Sequence, residues 1–196
     1  MYKIENITIN NLNTIVNIHM LSFKDNFLTK FGDSFLSNFY KLILCKPGNF
    51  GYLVKYNDEF AGFIVGANSN FSIYKNILKN AKNYILIIKI FFNKPSLFFS
   101  FVQKLFYSPN FIYNNNSIIL LSICVHPNFQ NLGLGSILID IFEKSAKENG
   151  YKYIYLTTDS IDNETVNKFY KKKNYNILKV FRQTKSRYMN LYLKNI

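Results

Sequence analysis

The sequence predicts a single mixed α/β (α+β) domain, with a central twisted sheet of mixed strand direction flanked by helices. Strand-like and helix-like runs alternate along the whole chain, with no linker or internal repeat between them. One run, SIILLSICV at Ser117–Val125, is apolar at successive positions, as a strand covered on both faces must be. It passes directly into the turn VHPNFQNLGLGS and then into a helical pattern. A length of 196 residues suffices for one well-buried core and is short for two, so residues 1–196 are read as a single domain.

The elements follow in order. YKIENIT, Tyr2 to Thr8, reads as a first strand. Between Asn11 and Asp25, residues Leu12, Ile15, Val16, Ile18, His19 and Phe23 recur at helical spacing. A second helix covers Asp33 to Leu44, with Phe35, Leu36, Phe39, Tyr40 and Ile43 as its apolar stripe, Asp33 or Ser34 as its cap, and Pro47 and Gly48 beyond its end. Gly51–Tyr56 and Phe60–Ala67 form a hairpin turning at Asn57-Asp58. Residues 70–116 are aromatic and Lys-bearing and are divided by Pro95 and Pro109, which predicts a helical insertion, buried or lid-like rather than lying on a surface. After the central strand, Ser136 to Asn149 is helical, with Ile137, Leu138, Ile141, Phe142 and Ala146 as its buried face, Glu143 and Lys147 paired, and Gly150 as its stop. YKYIYLTT, Tyr151 to Thr158, is a strand, and Asn163 to Lys173 is a helix ending at Asn174-Tyr175. YNILKVF and YMNLYLK close the chain as strands.

Composition removes several classes of function. Hydrophobic residues make up 48% and aromatics 18%, which describes a folded chain rather than a disordered one. The net charge of +13 suits a polyanion or merely a solvated surface, and the 24 basic residues are scattered rather than gathered in an arm. No nucleic-acid-binding motif accompanies them, so no nucleic-acid partner is expected. Two cysteines and two histidines give neither a disulfide framework nor metal-ligand spacing, so no metal is expected, and Cys124 reads as a small buried residue. MYKIENITIN lacks the apolar core of a signal peptide, and Lys89 and Lys94-Pro95 interrupt the longest apolar stretch. A cytoplasmic protein is the expectation. The Phe-rich insertion is compatible with a homodimer interface or with peripheral membrane contact.

The turn after the central strand carries the chemistry. A strand, a glycine turn and a helix present unpaired first-turn N–H groups, to which the helix dipole adds about half a positive charge. Gly133 and Gly135 remove the side chains that would keep an anion from those donors. The turn is not a P-loop, since no Lys follows Gly135, and it is not a dinucleotide fingerprint, since Ile137 and Leu138 stand in the spacing to a third glycine.

Q-x-x-G-x-G, here Gln130, Asn131, Leu132, Gly133, Leu134 and Gly135, resembles the acyl-CoA-binding signature of the GNAT N-acetyltransferases. About thirty residues further on, NETVNKFYKKKNY at Asn163–Tyr175 is similar to that family's second motif, N-x-x-[VA]-x-x-F-Y-x-x-x-G-[FY]. The likeness is strongest from Ser117 to Phe181. Asn174 replaces the usual glycine, and Asn is the next most tolerant residue at a left-handed helix end. FLTKFGDSFLSNFY, LTTD and SRYM further resemble a subgroup associated with bacterial surface-polysaccharide synthesis, which implies an amino-sugar acceptor, nucleotide-linked.

The resemblance implies an enzyme that moves an acetyl group from acetyl-CoA, its cosubstrate, to the primary amine of a small molecule. It implies that the diphosphate rests on main-chain N–H groups from Gln130 to Ser136, that the pantetheine arm pairs with Ile123, Cys124 and Val125, and that the Val125 N–H stabilises the oxyanion. Tyr170 is the implied acid for the leaving thiolate, uphill by ~1.5 pH units or roughly 2 kcal/mol, against its reading as one more core aromatic. Asn163 either bonds the cofactor arm or caps its helix, and Lys168, Lys171, Lys172 and Lys173 either meet the 3′-phosphate or face solvent. Ile119 stands where relatives often carry a glutamate base. Asp159 and Asp25 are the available carboxylates, with Asp159 favoured; His126 is read as facing solvent, and water suffices for an amine of modest pKa. The other readings are an acyl-CoA-binding module without catalysis and an acetyltransferase acting on a protein- or RNA-associated amine.

Overall fold

A computed structural model describes residues 1–24, 28–69, 113–184 and 187–196. The expected helical insertion lies outside these residues except for its last four positions, as do Asp25 and part of the SRYM segment. The strands are β1 (Tyr2–Asn6), β2 (Phe50–Tyr56), β3 (Glu59–Asn68), β4 (Ser117–Val125), β5 (Tyr153–Asp159), β6 (Asn176–Arg182) and β7 (Tyr188–Asn195). They form one sheet in the order β1-β2-β3-β4-β5-β7-β6. Among the described strands only β4 and β5 run parallel; every other neighbouring pair is antiparallel. The described helices are α1 (Leu12–Ser22), α2 (Asp33–Leu44), α3 (Leu134–Glu148) and α4 (Glu164–Lys172).

Apolar periodicity places the helices. The α2 stripe of Phe35, Leu36, Phe39, Tyr40 and Ile43 is fully buried, with α1 beside it, against Leu53, Phe63, Val65 and Cys124 on one face of the sheet. The left-handed Gly32 (φ 87°) precedes α2, so Asp33 is its first residue rather than its cap, with its carboxylate accepting the Ser34 N–H. On the other face, α3 buries Leu134, Leu138, Ile139, Phe142, Ser145 and Ala146. That stripe is rotated from the expected one, leaving Ile137 and Ile141 half-buried. The helix begins at Leu134, and Tyr52 donates a 2.7 Å hydrogen bond to Ser145, which lets a hydroxyl enter the core. Glu143 pairs with Lys194 of β7 at 2.6 Å, not with Lys147, because its side chain points toward the sheet where the tertiary partner lies.

Turn chemistry accounts for the reversals. Asn57 and Asp58, at φ 50° and 64°, both take the left-handed conformation that a two-residue hairpin needs. Asn174 ends α4 at φ 62°, in the left-handed conformation expected where the motif it resembles has glycine, and Gly150 ends α3 at φ 80°.

The feature that shapes the molecule is a split in the sheet. β4 and β5 pair only where Ser117–Ile119 meets Tyr153–Tyr155. Both strands then continue, to Val125 and Asp159, without pairing. Ser122 stands opposite Val65 and Leu120 opposite Gly66, so Leu121 is an extra residue, and a bulge of this kind bends its strand and increases its twist.

A buried polar chain crosses the α1–α2 layer: His19 Nδ1 lies 2.7 Å from the Tyr40 hydroxyl, which donates to Ser122 at 3.2 Å. Burial lowers the His19 pKa to about 4, so the folded protein holds this ring neutral. Between about pH 6.5 and about 4 the unfolded chain binds a proton that the folded one does not, so stability is lost as pH falls through that window. The full loss is on the order of 3 kcal/mol. Urea unfolding at pH 7 and pH 4.5 is expected to show that decline in the native protein and a much smaller one in His19→Phe; equal declines would contradict it.

Candidate active site

The glycine turn joins β4 to α3. His126 donates its N–H to the Ala61 carbonyl at 2.7 Å, and its half-buried ring accepts the Asn128 N–H at 3.2 Å while packing 5.7 Å from the Phe129 ring. Pro127–Phe129 form a single 3-10 turn, after which Gln130 is extended and exposed. Asn131 and Gly133 are both left-handed, at φ 64° and 76°, with the exposed Leu132 between them. Such alternation turns successive N–H groups toward one side. From Asn131 to Gly135 those groups have no hydrogen-bond partner among the described residues; bonding resumes with the Ser136 N–H, which reaches Gly133 O at 3.0 Å. Leu134 anchors the turn in the core.

The two glycines serve different needs. Gly133 needs its left-handed backbone, and a Cβ there would meet nothing within 4 Å among the described residues. Gly135 is helical, and a Cβ there would lie 3.8 Å from Phe169 Cζ and 4.0 Å from Val125 Cγ2, in ordinary contact. The chain itself would therefore accept alanine at 135. The position also marks where the turn, the end of β4 and α4 converge.

The β4 edge contributes the second part of the site. Hydrogen-bonded and non-bonded pairs alternate along antiparallel strands. With the His126 N–H bonded to Ala61, the Cys124–Phe63 pair is the next bonded pair, and Val125 and Ile123, opposite Gly62 and Ile64, turn their N–H and C=O groups away from β3. Those groups face the gap where β5 has diverged. The Val125 carbonyl agrees with this direction, since it accepts the Ser22 hydroxyl from α1 at 3.1 Å. Cys124 turns its main chain to β3 and its buried thiol into the α1–α2 core, so Ile123 and Val125 alone of this run offer polar main-chain groups to the gap. Burial raises the Cys124 pKa, with the Ser22 hydroxyl alongside opposing the shift.

The far wall is α4. Tyr170 is its buried residue, with ring centroids 5.3 Å from Phe169 and 5.7 Å from both Tyr175 and Tyr192. Its hydroxyl has no hydrogen-bond partner among the described residues. Burial, reinforced by Tyr192, pushes its pKa up. The Asn163 side chain donates to Thr158 Oγ1 at 2.8 Å and to the Asp159 carbonyl at 3.0 Å, tying the start of α4 to β5 without capping the helix. Both oxygens of Asp159 are held by Arg187, at 2.5 and 2.8 Å. Lys173 is paired with Asp140 at 2.7 Å, whereas Lys168, Lys171 and Lys172 are exposed.

Two residues here went unnoticed in the sequence. Asn167 donates to the carbonyls of Asp159 (3.0 Å) and Asn163 (2.9 Å) and accepts from Asn190 (3.0 Å) and Tyr192 (2.8 Å), fastening α4 to β5 and β7. Its spacing from Asn163 was a visible signal; its partners on β7 were not. Ser22, bonded 103 residues away, carried no signal. Among the described residues no three His, Cys, Asp or Glu side chains gather as a metal site, and no helix is long and apolar enough to cross a membrane.

The folds of several solved proteins are similar. The ribosomal-protein-S18-alanine N-acetyltransferase of Escherichia coli aligns with TM-score 0.65 at 12% identity, covering 100% of this chain and 94% of its own. A putative GNAT acetyltransferase of Desulfovibrio desulfuricans aligns with TM-score 0.67 at 12% identity, over 100% and 99%. The PaiA N-acetyltransferase of Thermoplasma acidophilum, solved with coenzyme A, aligns with TM-score 0.62 at 15% identity, over 100% and 99%. At these identities the likeness is one of fold. No curated protein matches the sequence significantly. The sequence itself matches the family described as acetyltransferase (GNAT) over residues 12–175. With so much of its length inside that match, split sheet and glycine turn included, the chain belongs to the GNAT acetyltransferase family.

Proposed function

We propose that this protein transfers the acetyl group of acetyl-CoA directly to the primary amine of a small acceptor, with an amino sugar or nucleotide-linked amino sugar as the first class to test. The observation that carries the reading is the pairing of two demands unmet among the described residues: the N–H groups from Asn131 to Gly135, and the main-chain groups of Ile123 and the Val125 N–H on the β4 edge. A diphosphate answers the first, and an amide-bearing pantetheine arm answers the second. Asn163 keeps its amide oxygen on the same wall, and the exposed Lys168, Lys171 and Lys172 supply positive charge nearby.

In the reaction the amine nitrogen bonds to the thioester carbonyl carbon, and the C–S bond breaks. The Val125 N–H faces the oxygen on which charge develops. Tyr170 gives its proton to the departing thiolate and regains one from solvent, while the new ammonium loses a proton. Burial makes Tyr170 a weaker acid than a free phenol, but the same dry surroundings raise the pKa of the thiol formed beside it, so the difference between them governs the transfer. Ile119 offers no base, and Asp159 could serve as one only by opening its pair with Arg187. Water takes the proton, and the reaction selects an amine with a sizeable neutral fraction.

The screen that tests this reading incubates the protein with acetyl-CoA and a panel of amino sugars, their nucleotide-linked forms, polyamines and peptides, and follows thiol release and acceptor mass. Acetylated amino sugar is the expected product. Coenzyme A binding without turnover of any amine would instead favour a binding module, and turnover of peptides alone would favour a protein acceptor.

Gly135→Ala is expected to fold with an unchanged melting temperature, yet to bind coenzyme A about tenfold more weakly, ~1.4 kcal/mol, by calorimetry. Unaltered affinity would remove the turn from the site. Tyr170→Phe is expected to lower kcat at least about tenfold, or ~1.4 kcal/mol, and to leave the KM for acetyl-CoA nearly unchanged. Because its pKa is raised, Tyr170 stays protonated through pH 10, so the rate of the native enzyme should rise with amine deprotonation and then level off. An alkaline decline below pH 10 that vanishes in Tyr170→Phe would contradict this.

A further inference from the structure

We infer that Ser22, at the end of α1, is a positioning residue for acetyl transfer: its hydroxyl caps the Val125 carbonyl, so that the last peptide groups of the open β4 edge present a donor and no competing acceptor. The inference rests on the reading above, in which the Val125 N–H receives the developing oxyanion. Ser22 Oγ donates to Val125 O at 3.1 Å across 103 residues of chain. A carbonyl oxygen can only accept, so the direction of that bond is fixed, with the Ser22 hydroxyl as donor, and the Cys124 thiol lies beside it. On the opposite side of the same peptide unit, the His126 N–H is held by Ala61 O at 2.7 Å. The peptide between Val125 and His126 is thus pinned at both ends, by α1 and by β3.

The electrostatic consequence follows from where that carbonyl points. Without Ser22 it would project into the gap beside the Val125 N–H, presenting a partial negative charge where the reaction builds another. It would also offer an acceptor able to draw an N–H of the pantetheine arm past its proper register. With Ser22 in place the polar groups of the edge that have no partner among the described residues end in an N–H. The bond ties the end of α1 to the end of β4.

The test is steady-state kinetics on the full chain with acetyl-CoA and the fastest amine from the panel above. Ser22→Ala is expected to fold normally, since alanine suits a helix and the site is half-buried, with a melting temperature within about 2 °C of the native value. It should lose about tenfold in kcat while the KM for acetyl-CoA changes less than about threefold, and Ser22→Thr, which keeps the hydroxyl, should recover most of the rate. A native-like kcat in Ser22→Ala overturns the inference, as does a Thr variant no better than the Ala variant. If the native protein acetylates no amine in the panel, the underlying reading has failed and this inference with it. If the native protein is active and Tyr170→Phe is impaired while Ser22→Ala is not, the inference alone is lost.

Discussion

The rest of the molecule depends on the parting of β4 and β5. Two parallel neighbours that should share a full ladder share only their first three positions, Ser117–Ile119 with Tyr153–Tyr155. Each main-chain group left unpaired in a buried place costs roughly 1–3 kcal/mol, so a sheet tolerates such a split only where something else meets the demand. The bulge at Leu121 bends β4 just beyond the last shared position, α3 packs on β2, β3 and β4, and α4 is bonded to β5 and β7. The split is thus a built opening, with main-chain donors along one lip and a buried tyrosine on the other.

The supports of that opening are polar and come from distant parts of the chain. On one side Ser22 and Ala61 hold the final peptide of β4. On the other, Asn163 and Asn167 lash α4 to β5 and β7, and Arg187 grips Asp159 at the end of β5. Asn167 satisfies all four of its hydrogen-bonding positions, which suits an amide in a site as dry as that around Tyr192 and Asn190. Two walls fixed by separate sets of bonds can keep a constant separation, as the proposed transfer across the gap would need.

Charge follows the same logic. Of the basic residues near α4, Lys173 is drawn to Asp140 and Lys194 to Glu143, whereas Lys168, Lys171 and Lys172 remain on the surface. The pairs that form join separate elements, and partners one turn apart on a helix play the lesser part: Lys144 and Glu148 stand 3.9 Å apart and largely exposed. Asp159 is the instructive case. As a sequence it was the best-placed free carboxylate; in the fold it belongs to Arg187.

Local rules made most of the fold legible. Periodic apolar residues marked α1, α2 and every strand, Asn57-Asp58 and Asn174 announced left-handed turns, and Gly133 with Gly135 announced a place where backbone must lie bare. These depend on neighbours within a few residues, and a sequence carries such information whole. Only the tertiary structure decided which face of α3 is buried, that Cys124 looks away from the gap while Ile123 and Val125 look into it, and that Ser22 bonds the end of β4 and Asn167 fastens α4 to β5 and β7. Each of these turns on strand register or on a hydrogen bond between residues far apart in the chain. A single sequence does not record such pairings, because any of its many serines and asparagines could have made them.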